Sequence, residues 1–497
     1  MAIQKYYHKY ERMVSDLATC ILIALCLCLP AQSQIIKIPF LGAACVLGAV
    51  RLWLTRGKAI SKATWIWFGG YLAYNLIWSL MGIFNGYRGA SDYFRLGVIW
   101  PVLFFFITAC VTVDTVKWIT RVIVLVVGIQ TVCVYILIGN VFQLWPNFLR
   151  PIYPDSAVGL HPGYIHVVSH FIGAMAFTVP FVYAYFLLHQ KLKLALRVLL
   201  LGAWFLIVLA LVATSRRILL VVLVVCAASV IVIPFLLKER RGQMLLRTVA
   251  GLGVTVVFML AATGIVINAS TGYLTNNFDA VLKVIQNRAD EQTTIRYTSG
   301  LVYDLGDIEP PREEDPDCSN GAEESVPGTN QTGKPTKPGN EQVGNNGFKD
   351  RVDGLFGELD SGTVRGKILA GALGNWTKSP IVGVGFGAPL PGFEGPGDGI
   401  YEMEYVVRLY TSGLLGIAIL VALMLFVGVA PLRKICKEND KMLLLAPCTV
   451  AYLGAAVATI SNPYIFSGFD YLLMLFLPVA FLNSANTGKK TIEGKGC

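Results

Sequence analysis

Residues 198–237 read VLLLGAWFLIVLALVATSRRILLVVLVVCAASVIVIPFLL, in which two long apolar runs flank the tetrapeptide Thr214-Ser215-Arg216-Arg217. Each run has roughly the 20 residues that a helix needs to cross a bilayer. The stretch therefore predicts two membrane-spanning helices joined by a very short connection. Two arginines at such a helix boundary are costly unless they bind an anionic group, so this connection is the first candidate functional site.

The composition of the whole chain indicates a membrane protein. The chain has 497 residues, of which 55% are hydrophobic and 14% are charged, and its mean hydropathy is +0.60. A chain of this composition is too apolar for a soluble enzyme and is typical of a polytopic membrane protein. The 11 cysteines are mostly scattered through apolar runs and form no CxxC pair. They therefore predict neither a metal site nor a redox site.

Apolar runs of sufficient length recur along the chain and predict twelve spans. They lie near residues 16–31, 35–54, 63–84, 96–113, 118–142, 167–188, 196–214, 217–237, 248–269, 406–430, 442–460 and 470–485. The predicted fold class is all-α, a polytopic membrane helix bundle with about 12 transmembrane helices and one large periplasmic loop between helices 9 and 10. Residues 1–269 then hold helices 1–9, residues 270–405 the loop, and residues 406–497 helices 10–12 and a cytoplasmic tail.

The distribution of lysine and arginine predicts the orientation of the bundle. With the N-terminus in the cytoplasm, most basic residues of the connections fall on that side, and the C-terminal lysines join them. The short connections on the opposite side carry only Arg88, Arg95, Arg150, Arg216 and Arg217. The positive-inside rule therefore places both termini in the cytoplasm. The net charge of +10 reflects this topology rather than binding to nucleic acid.

The external segment 270–405 is far longer than an ordinary loop, which predicts a small domain or a lid. Residues 304–324 carry nine acidic side chains against the single Arg312, and the chain that follows is rich in glycine and proline. We interpret about 304–348 as a disordered or weakly ordered insertion. A solvated surface tail is favoured there over a cation site. The flanking stretches 281–285 and 365–376 have helical apolar spacing and are expected to lie across the outer mouth of the bundle.

Two outer-face elements carry residues suited to an anionic substrate. The guanidinium groups at Ser215-Arg216-Arg217 offer bidentate donors for a phosphate or pyrophosphate, although both arginines could instead snorkel to lipid phosphates. The second element is Arg365, followed fifteen residues later by Pro380 and the glycines of Gly383-Val384-Gly385. These glycines allow a close backbone approach to a substrate, but for such a run taken alone a purely structural turn is favoured.

The third element, Tyr401-Glu402-Met403-Glu404-Tyr405, comes immediately before the predicted tenth span. Two carboxylates at the edge of the bilayer could supply a general base, because partial burial would raise the pKa of such a carboxylate. The alternative is structural, since acidic residues at a helix N-terminus are stabilised by the helix dipole. Both Glu402 and Glu404 are therefore candidates for the base.

Taken together, these elements resemble the O-antigen ligase and polymerase family of bacterial membrane glycosyltransferases. The family pattern is a Ser-Arg between two spans, a loop arginine about fifteen residues ahead of a Pro-x-x-Gly-x-Gly turn, and a His-Asn-x-Tyr element leading into a Gly-Leu-Leu-Gly helix. The matching segments here are Ser215-Arg216, Arg365 with Pro380 and Gly383-Val384-Gly385, and Tyr405 with Gly413-Leu414-Leu415-Gly416. The resemblance extends over most of the chain in layout and about 200 residues in motif.

One departure from the family pattern concerns the histidine. Its position falls on Glu402, and the segment 270–405 contains no histidine. If the acceptor hydroxyl needs a base, Glu402 or Glu404 would serve, or His161 could reach in from the connection before the sixth span. His166 and His170, one turn apart on a helix, could bind a metal, but packing at the interface is favoured because no carboxylate is nearby in sequence.

The resemblance implies an enzyme of the bacterial inner membrane with a periplasmic active site. It would transfer a glycan from a polyprenyl pyrophosphate to an acceptor glycan or to lipid A core, without a metal or another cofactor. Arg216 and Arg365, with Arg217 and Arg296, would bind the pyrophosphate. The missing histidine favours a polymerase over a ligase, since that residue is typical of ligases. A transporter or flippase is the alternative of another class, because it too has about twelve spans.

Overall fold

The structure is a computed structural model of the whole chain. It describes residues 2–30, 33–142, 144–146, 148–154, 156–161, 164–188, 194–214, 216–236, 241–288, 302–303, 364–391, 403–438, 444–461, 464–466 and 468–493. Most of these residues are helical, as the apolar runs predict. The architecture is a membrane-type helix bundle with one small sheet beside it.

The helices follow the predicted spans along the chain. The first group is α1 (Ala2–Cys28), α2 (Gln34–Leu54), α3 (Lys62–Phe84), α4 (Ala90–Phe94), a π-helix (Arg95–Ile99), α5 (Trp100–Cys110) and α6 (Val113–Val141). The second group is α7 (His170–Leu188), α8 (Leu194–Ala213), α9 (Arg217–Leu236) and α10 (Arg241–Arg288). The third group is α11 (Val364–Trp376), α12 (Glu404–Glu438), α13 (Leu445–Ala458), a 3₁₀ helix (Tyr464–Phe466) and α14 (Phe469–Glu493).

Each of the twelve predicted spans overlaps one of these helices. Among the described residues, eight helical segments are long and apolar enough to cross a membrane by length and composition. The apolar parts of α8 and α13, at Val198–Ala213 and Leu445–Ala458, are shorter. That all twelve helices cross the membrane stays a prediction.

Hydrogen bonds between helix ends define the two ends of the bundle. At one end, Lys37 donates to the carbonyl of Pro30, the amide of Val167 donates to the carbonyl of Thr214, and the amide of Met403 donates to the carbonyl of Ser461. We call this the motif end, because Thr214 and Met403 adjoin the sequence elements singled out above.

The opposite end joins different parts of the same helices. The side-chain amide of Asn483 in α14 donates to the carbonyl of Ala59, and the guanidinium of Arg51 in α2 donates to the carbonyl of Cys110. We call this the basic end, because the chain segments that connect helices there carry most of the lysines and arginines. Which end faces the cytoplasm stays a prediction.

A three-stranded sheet at the motif end differs from the all-α prediction. Strands β1 (Ala157–His161) and β2 (Tyr164–Val168) form an antiparallel hairpin, and β3 (Val302–Tyr303) pairs with β1. Alternating β-branched and apolar residues with a Pro-Gly connection favour a hairpin over the start of a helix. The sixth predicted span therefore starts three residues later than expected, at His170. His166 lies on β2, so the expected helical turn between His166 and His170 is wrong.

The predicted boundary between bundle and loop at residues 269 and 270 falls inside a helix. α10 continues without interruption to Arg288, so the apolar stretch 281–285 is part of it. The second predicted loop helix is α11. The acidic insertion at 304–348 lies outside the described residues.

A buried ion pair links α2 to α14 at the motif end. The Lys37 ammonium lies 2.7 Å from Asp470 Oδ2, and the two side chains are only 2% and 1% exposed. Lys37 also donates to the carbonyls of Leu29 and Pro30 at the end of α1. Taking both charges out of water is expensive, and these additional hydrogen bonds offset part of that cost. The ammonium thus ties three helix ends together.

We expect the substitution Lys37→Met to destabilise the protein by about 3–5 kcal/mol, because it leaves the Asp470 carboxylate buried without a counter-charge. The midpoint of thermal unfolding in detergent, at one scan rate, measures the effect. The double variant Lys37→Met with Asp470→Leu removes both charges and is expected to recover much of the loss. Equal stability of Lys37→Met and wild type would contradict this account of the ion pair.

Candidate functional site

The glycine-rich turn predicted after Arg365 forms at the motif end. It follows α11 and runs through residues 379–387 without regular secondary structure. Gly383 and Gly385 adopt φ angles of 76° and 99°, which L side chains rarely adopt. Both glycines are buried. The turn is therefore built into the protein rather than held on its surface.

The turn enters a break in α12. Gly413 has φ 64° and ψ −172°, so it interrupts the helix. The amides of Leu414 and Leu415 donate instead to the carbonyls of Pro380 and Ile381, each at 2.9 Å. In return, the amide of Gly385 donates to the carbonyl of Thr411 at 2.8 Å. The turn thus satisfies the backbone groups that the break releases, which a membrane environment requires.

The other side of the turn packs against α3. Trp78 donates its indole N–H to the carbonyl of Val382 at 2.7 Å, and its own carbonyl accepts from the amide of Phe386 at 2.9 Å. A Cβ on Gly385 would lie 2.6 Å from the backbone nitrogen of Gly82. Glycine is therefore required at this contact, where two backbones approach closely.

A buried arginine lies beneath the turn. Arg408 of α12 is 3% exposed, and its Nε donates to Glu404 Oε1 at 2.6 Å. Its Cζ lies 4.6 Å from the ring centre of Phe386 and 4.4 Å from that of Phe466. The ring of Tyr93 is a third wall, at 5.5 Å. The guanidinium therefore joins α12, the turn, the 3₁₀ helix and α4 by one ion pair and several cation–π contacts.

The carboxylate of the candidate base Glu404 is bound within this cluster. Its carboxylate is buried and bound to Arg408, and Oε2 has no hydrogen-bond partner among the described residues. Met403, just before it, has a φ of 60°, an unusual backbone conformation for a non-glycine residue. Tyr405 donates its hydroxyl to the carbonyl of Ala456 at 3.0 Å, which joins α12 to α13. Glu402 lies outside the described residues.

Arg216 stands directly before the first turn of α9, where its carbonyl accepts from the amide of Leu219 at 2.8 Å. Its side chain is half-buried. In the part of the chain that the structure describes, its buried Nε has no hydrogen-bond partner. The N-terminus of a helix carries a partial positive charge that favours anions, and a guanidinium beside it adds a positive charge and further hydrogen-bond donors. The position is therefore chemically suited to a phosphate group.

The histidines of the motif end have different surroundings. His161 ends β1, where it pairs with Tyr164 across the hairpin, and the structure describes only the backbone of His161. His170 begins α7, and its Nε2 lies 3.5 Å from Asp470 Oδ2. Its Nδ1 lies 3.3 Å from the hydroxyl of Tyr471, whose ring stacks on the imidazole. The imidazole thus packs among protein groups, and its buried Nε2 has no hydrogen-bond partner among the described residues.

The structure brings some of the predicted site residues together and does not describe others. Gly383 and Gly385 contact the segment of α12 that begins with Glu404 and Tyr405. Arg216 lies at the same end of the bundle, because the amide of Val167, three residues before His170, binds the carbonyl of Thr214. The residues of which no side chain is described are Ser215, Arg217, Arg296, Arg365 and Glu402; of these, Arg217 begins α9 and Arg365 lies in α11.

Three buried charges were not identified from the sequence. They are Arg408, Lys37 and Asp470. The spacing of Glu404 and Arg408 was a usable signal, because residues four apart share one helix face. Lys37 and Asp470 are 433 residues apart in the chain. No local pattern connects them, although an isolated charge near the start of an apolar run is itself a signal.

Comparison of the chain with known protein families and with curated proteins found no match.

We expect Gly383→Ala to destabilise the docked turn, because φ is positive and the added Cβ would lie 2.5 Å from the carbonyl carbon of Thr411. The backbone strain alone costs about 1–3 kcal/mol. The matched control is Gly374→Ala in α11, where an added Cβ meets no atom within 4 Å. Thermal unfolding of both variants tests the account, and an unchanged unfolding midpoint for Gly383→Ala would refute the docking.

Proposed function

We propose that the chain is a bacterial inner-membrane glycosyltransferase that takes a glycan from polyprenyl pyrophosphate and transfers it to an acceptor sugar on the periplasmic side. The proposal places it in the assembly of O-antigen or another surface polysaccharide. Both termini would be cytoplasmic, and the motif end would face the periplasm. A polymerase is favoured over a ligase that attaches the finished glycan to lipid A core or protein, because Glu402 replaces the histidine typical of ligases.

The docking of the glycine turn into α12 carries the proposal. Pro380 and Gly383-Val384-Gly385 form one element of the family resemblance, and Gly413-Leu414-Leu415-Gly416 forms another. The two elements contact each other through the backbone hydrogen bonds at Leu414 and Leu415. Such contact is expected if both belong to one site, and two unrelated matches to weak motifs would not be expected to meet. The position of Arg216 at the same end of the bundle adds support.

The proposed reaction exchanges one C–O bond for another. The acceptor hydroxyl oxygen attacks the anomeric carbon of the donor sugar, and the bond from that carbon to the pyrophosphate oxygen breaks. Polyprenyl pyrophosphate leaves with the bonding electrons, and the hydroxyl proton passes to a base. Negative charge therefore grows on the leaving group, which Arg216 and Arg365, with Arg217 and Arg296, would stabilise. The reaction uses no nucleotide or metal.

The surroundings of Glu404 bear on which carboxylate is the base. A base must reach the acceptor hydroxyl, whereas the Glu404 carboxylate is buried and paired with Arg408. This favours Glu402 as the base and Glu404 as a positioning residue, which would hold the start of α12 through Arg408. His161 remains the alternative base.

A transporter or flippase is the second candidate function. The buried pair of Lys37 and Asp470 favours it, because charges inside a helix bundle often mark a transport pathway. Both residues lie within the first turn of their helices, however. Secondary transporters bind their substrates near the middle of the membrane, so the location of the pair is more in keeping with a structural tie.

We expect Arg216→Ala and Arg365→Ala each to abolish glycan transfer, because each removes positive charge from the proposed pyrophosphate site. The assay is restoration of the surface glycan in a host that lacks the gene, together with the amount of protein in the membrane. Arg95→Ala is the matched control, since Arg95 lies near the motif end but is exposed and paired with Asp92. Full restoration of the surface glycan by both variants would contradict the proposed mechanism.

We expect Glu402→Gln to abolish transfer without changing thermal stability, because it removes the proposed base. Glu404→Gln is expected to lower the unfolding temperature as well, because the buried Arg408 loses its counter-charge. Transfer rates of purified protein and unfolding midpoints separate the two roles. Normal transfer by Glu402→Gln would exclude Glu402 as the base and leave His161 as the candidate.

A further inference from the structure

A crevice of about 310 Å³ opens among three helices towards the basic end, away from the proposed transfer site. The last turns of α7 and the early turns of α8 and α10 form its walls, and its volume lies within the range of pockets that bind small ligands. Among its lining residues, Arg247 is the only one with a charged side chain. The crevice therefore combines an apolar interior with one fixed cation.

The position of Arg247 along α10 shows which part of the crevice lies nearer the membrane surface. Arg247, Ala250, Gly251 and Val254 follow one another on a single face of α10. α10 begins at Arg241, so Arg247 is about 9 Å from the start of the helix and Val254 about 20 Å from it. The cation thus lies nearer the surface of the membrane, and the apolar lining continues towards its interior.

The walls of the crevice are held in place by contacts between helices. The ring of Trp204 in α8 stacks on that of Tyr183 in α7, with centres 5.0 Å apart. The indole N–H of Trp204 donates to Thr255 Oγ1 in α10 at 3.0 Å. The crevice is therefore preformed, which reduces the entropy lost when a ligand binds.

Charge complementarity identifies the occupant. In the described part of the chain, no carboxylate lies within ion-pair distance of Arg247. The sequence just before α8 contributes Lys191 and Lys193, and the sequence just before α10 contributes Lys238 and Arg240. An anionic phospholipid matches both features, since its phosphate can bind the guanidinium while an acyl chain fills the apolar space.

We propose that this crevice binds one anionic phospholipid, with its phosphate on Arg247 and an acyl chain between α7, α8 and α10. The site is separate from the transfer site, because Arg216 lies at the motif end and Arg247 towards the basic end. Phospholipid binding in the crevice can therefore be tested independently of the proposed transferase activity.

Native mass spectrometry of the full-length protein tests the proposal. The protein is purified in mild detergent, supplied with dioleoyl phosphatidylglycerol or dioleoyl phosphatidylcholine, and the lipid retained is counted. We expect wild type to retain one phosphatidylglycerol in preference to phosphatidylcholine. Arg247→Gln is expected to lower the affinity for phosphatidylglycerol on the order of fivefold, which corresponds to the loss of one basic contact to an anionic lipid.

Two further variants define the site. Arg121→Gln is the matched control, because Arg121 is an exposed arginine near the basic end of α6 outside the crevice, and it is expected to bind like wild type. Ala250→Trp fills the crevice and is expected to reduce phosphatidylglycerol retention with Arg247 still present. Size-exclusion profiles and unfolding midpoints show whether the variants fold.

Three results would overturn the proposal. They are equal retention of phosphatidylglycerol by Arg247→Gln and wild type, equal retention of the two phospholipids by wild type, and complete displacement of phosphatidylglycerol by an equimolar polyprenyl phosphate. The last result would assign the crevice to a polyprenyl lipid instead.

Discussion

A helix cannot be broken inside a membrane unless other protein groups satisfy the backbone that the break exposes. α12 is broken at Gly413, and the turn at residues 380–385 supplies both the acceptors and the donor that the break leaves open. This exchange fixes the start of α12, and with it Glu404 and Tyr405, against α3 and the turn. The same close contact requires glycine in the turn, because side chains there would collide with backbone atoms. The local geometry of the motif end depends on this contact.

Buried charges reinforce the motif end at two points. Arg408 contacts Phe386 of the turn and Phe466 of the 3₁₀ helix, while Lys37 and Asp470 tie helices from opposite ends of the chain. Burying an ion pair costs desolvation energy, which the close contact between the two charges offsets. Loss of one partner leaves the other charge buried alone, so the structure is sensitive to substitution of either residue of each pair. Such rigid support is what the proposed transfer site would need, because catalytic geometry tolerates little misplacement.

The helices could be predicted from the sequence because the length and apolarity of a span are local properties. The turn at Gly383 could also be predicted, since glycine spacing is local too. Its docking into α12 could not, because the break at Gly413 exists only with a partner about thirty residues earlier in the chain. The small sheet was missed because its strands are short and its third strand, Val302–Tyr303, is remote in sequence from the hairpin that it joins. The pair of Lys37 and Asp470 was missed for the same reason, since its partners are remote in sequence.

The activity proposed for the chain is transfer of a polyprenyl-linked glycan. Its most direct test is deletion of the gene in the host, followed by profiling of the surface glycan and of the polyprenyl-linked intermediates. The account predicts an acceptor that carries a single repeat unit, as expected for a lost polymerase. Long glycan stranded on the polyprenyl carrier would indicate a ligase and keep the reaction class. An unchanged glycan and unchanged intermediates would contradict the account.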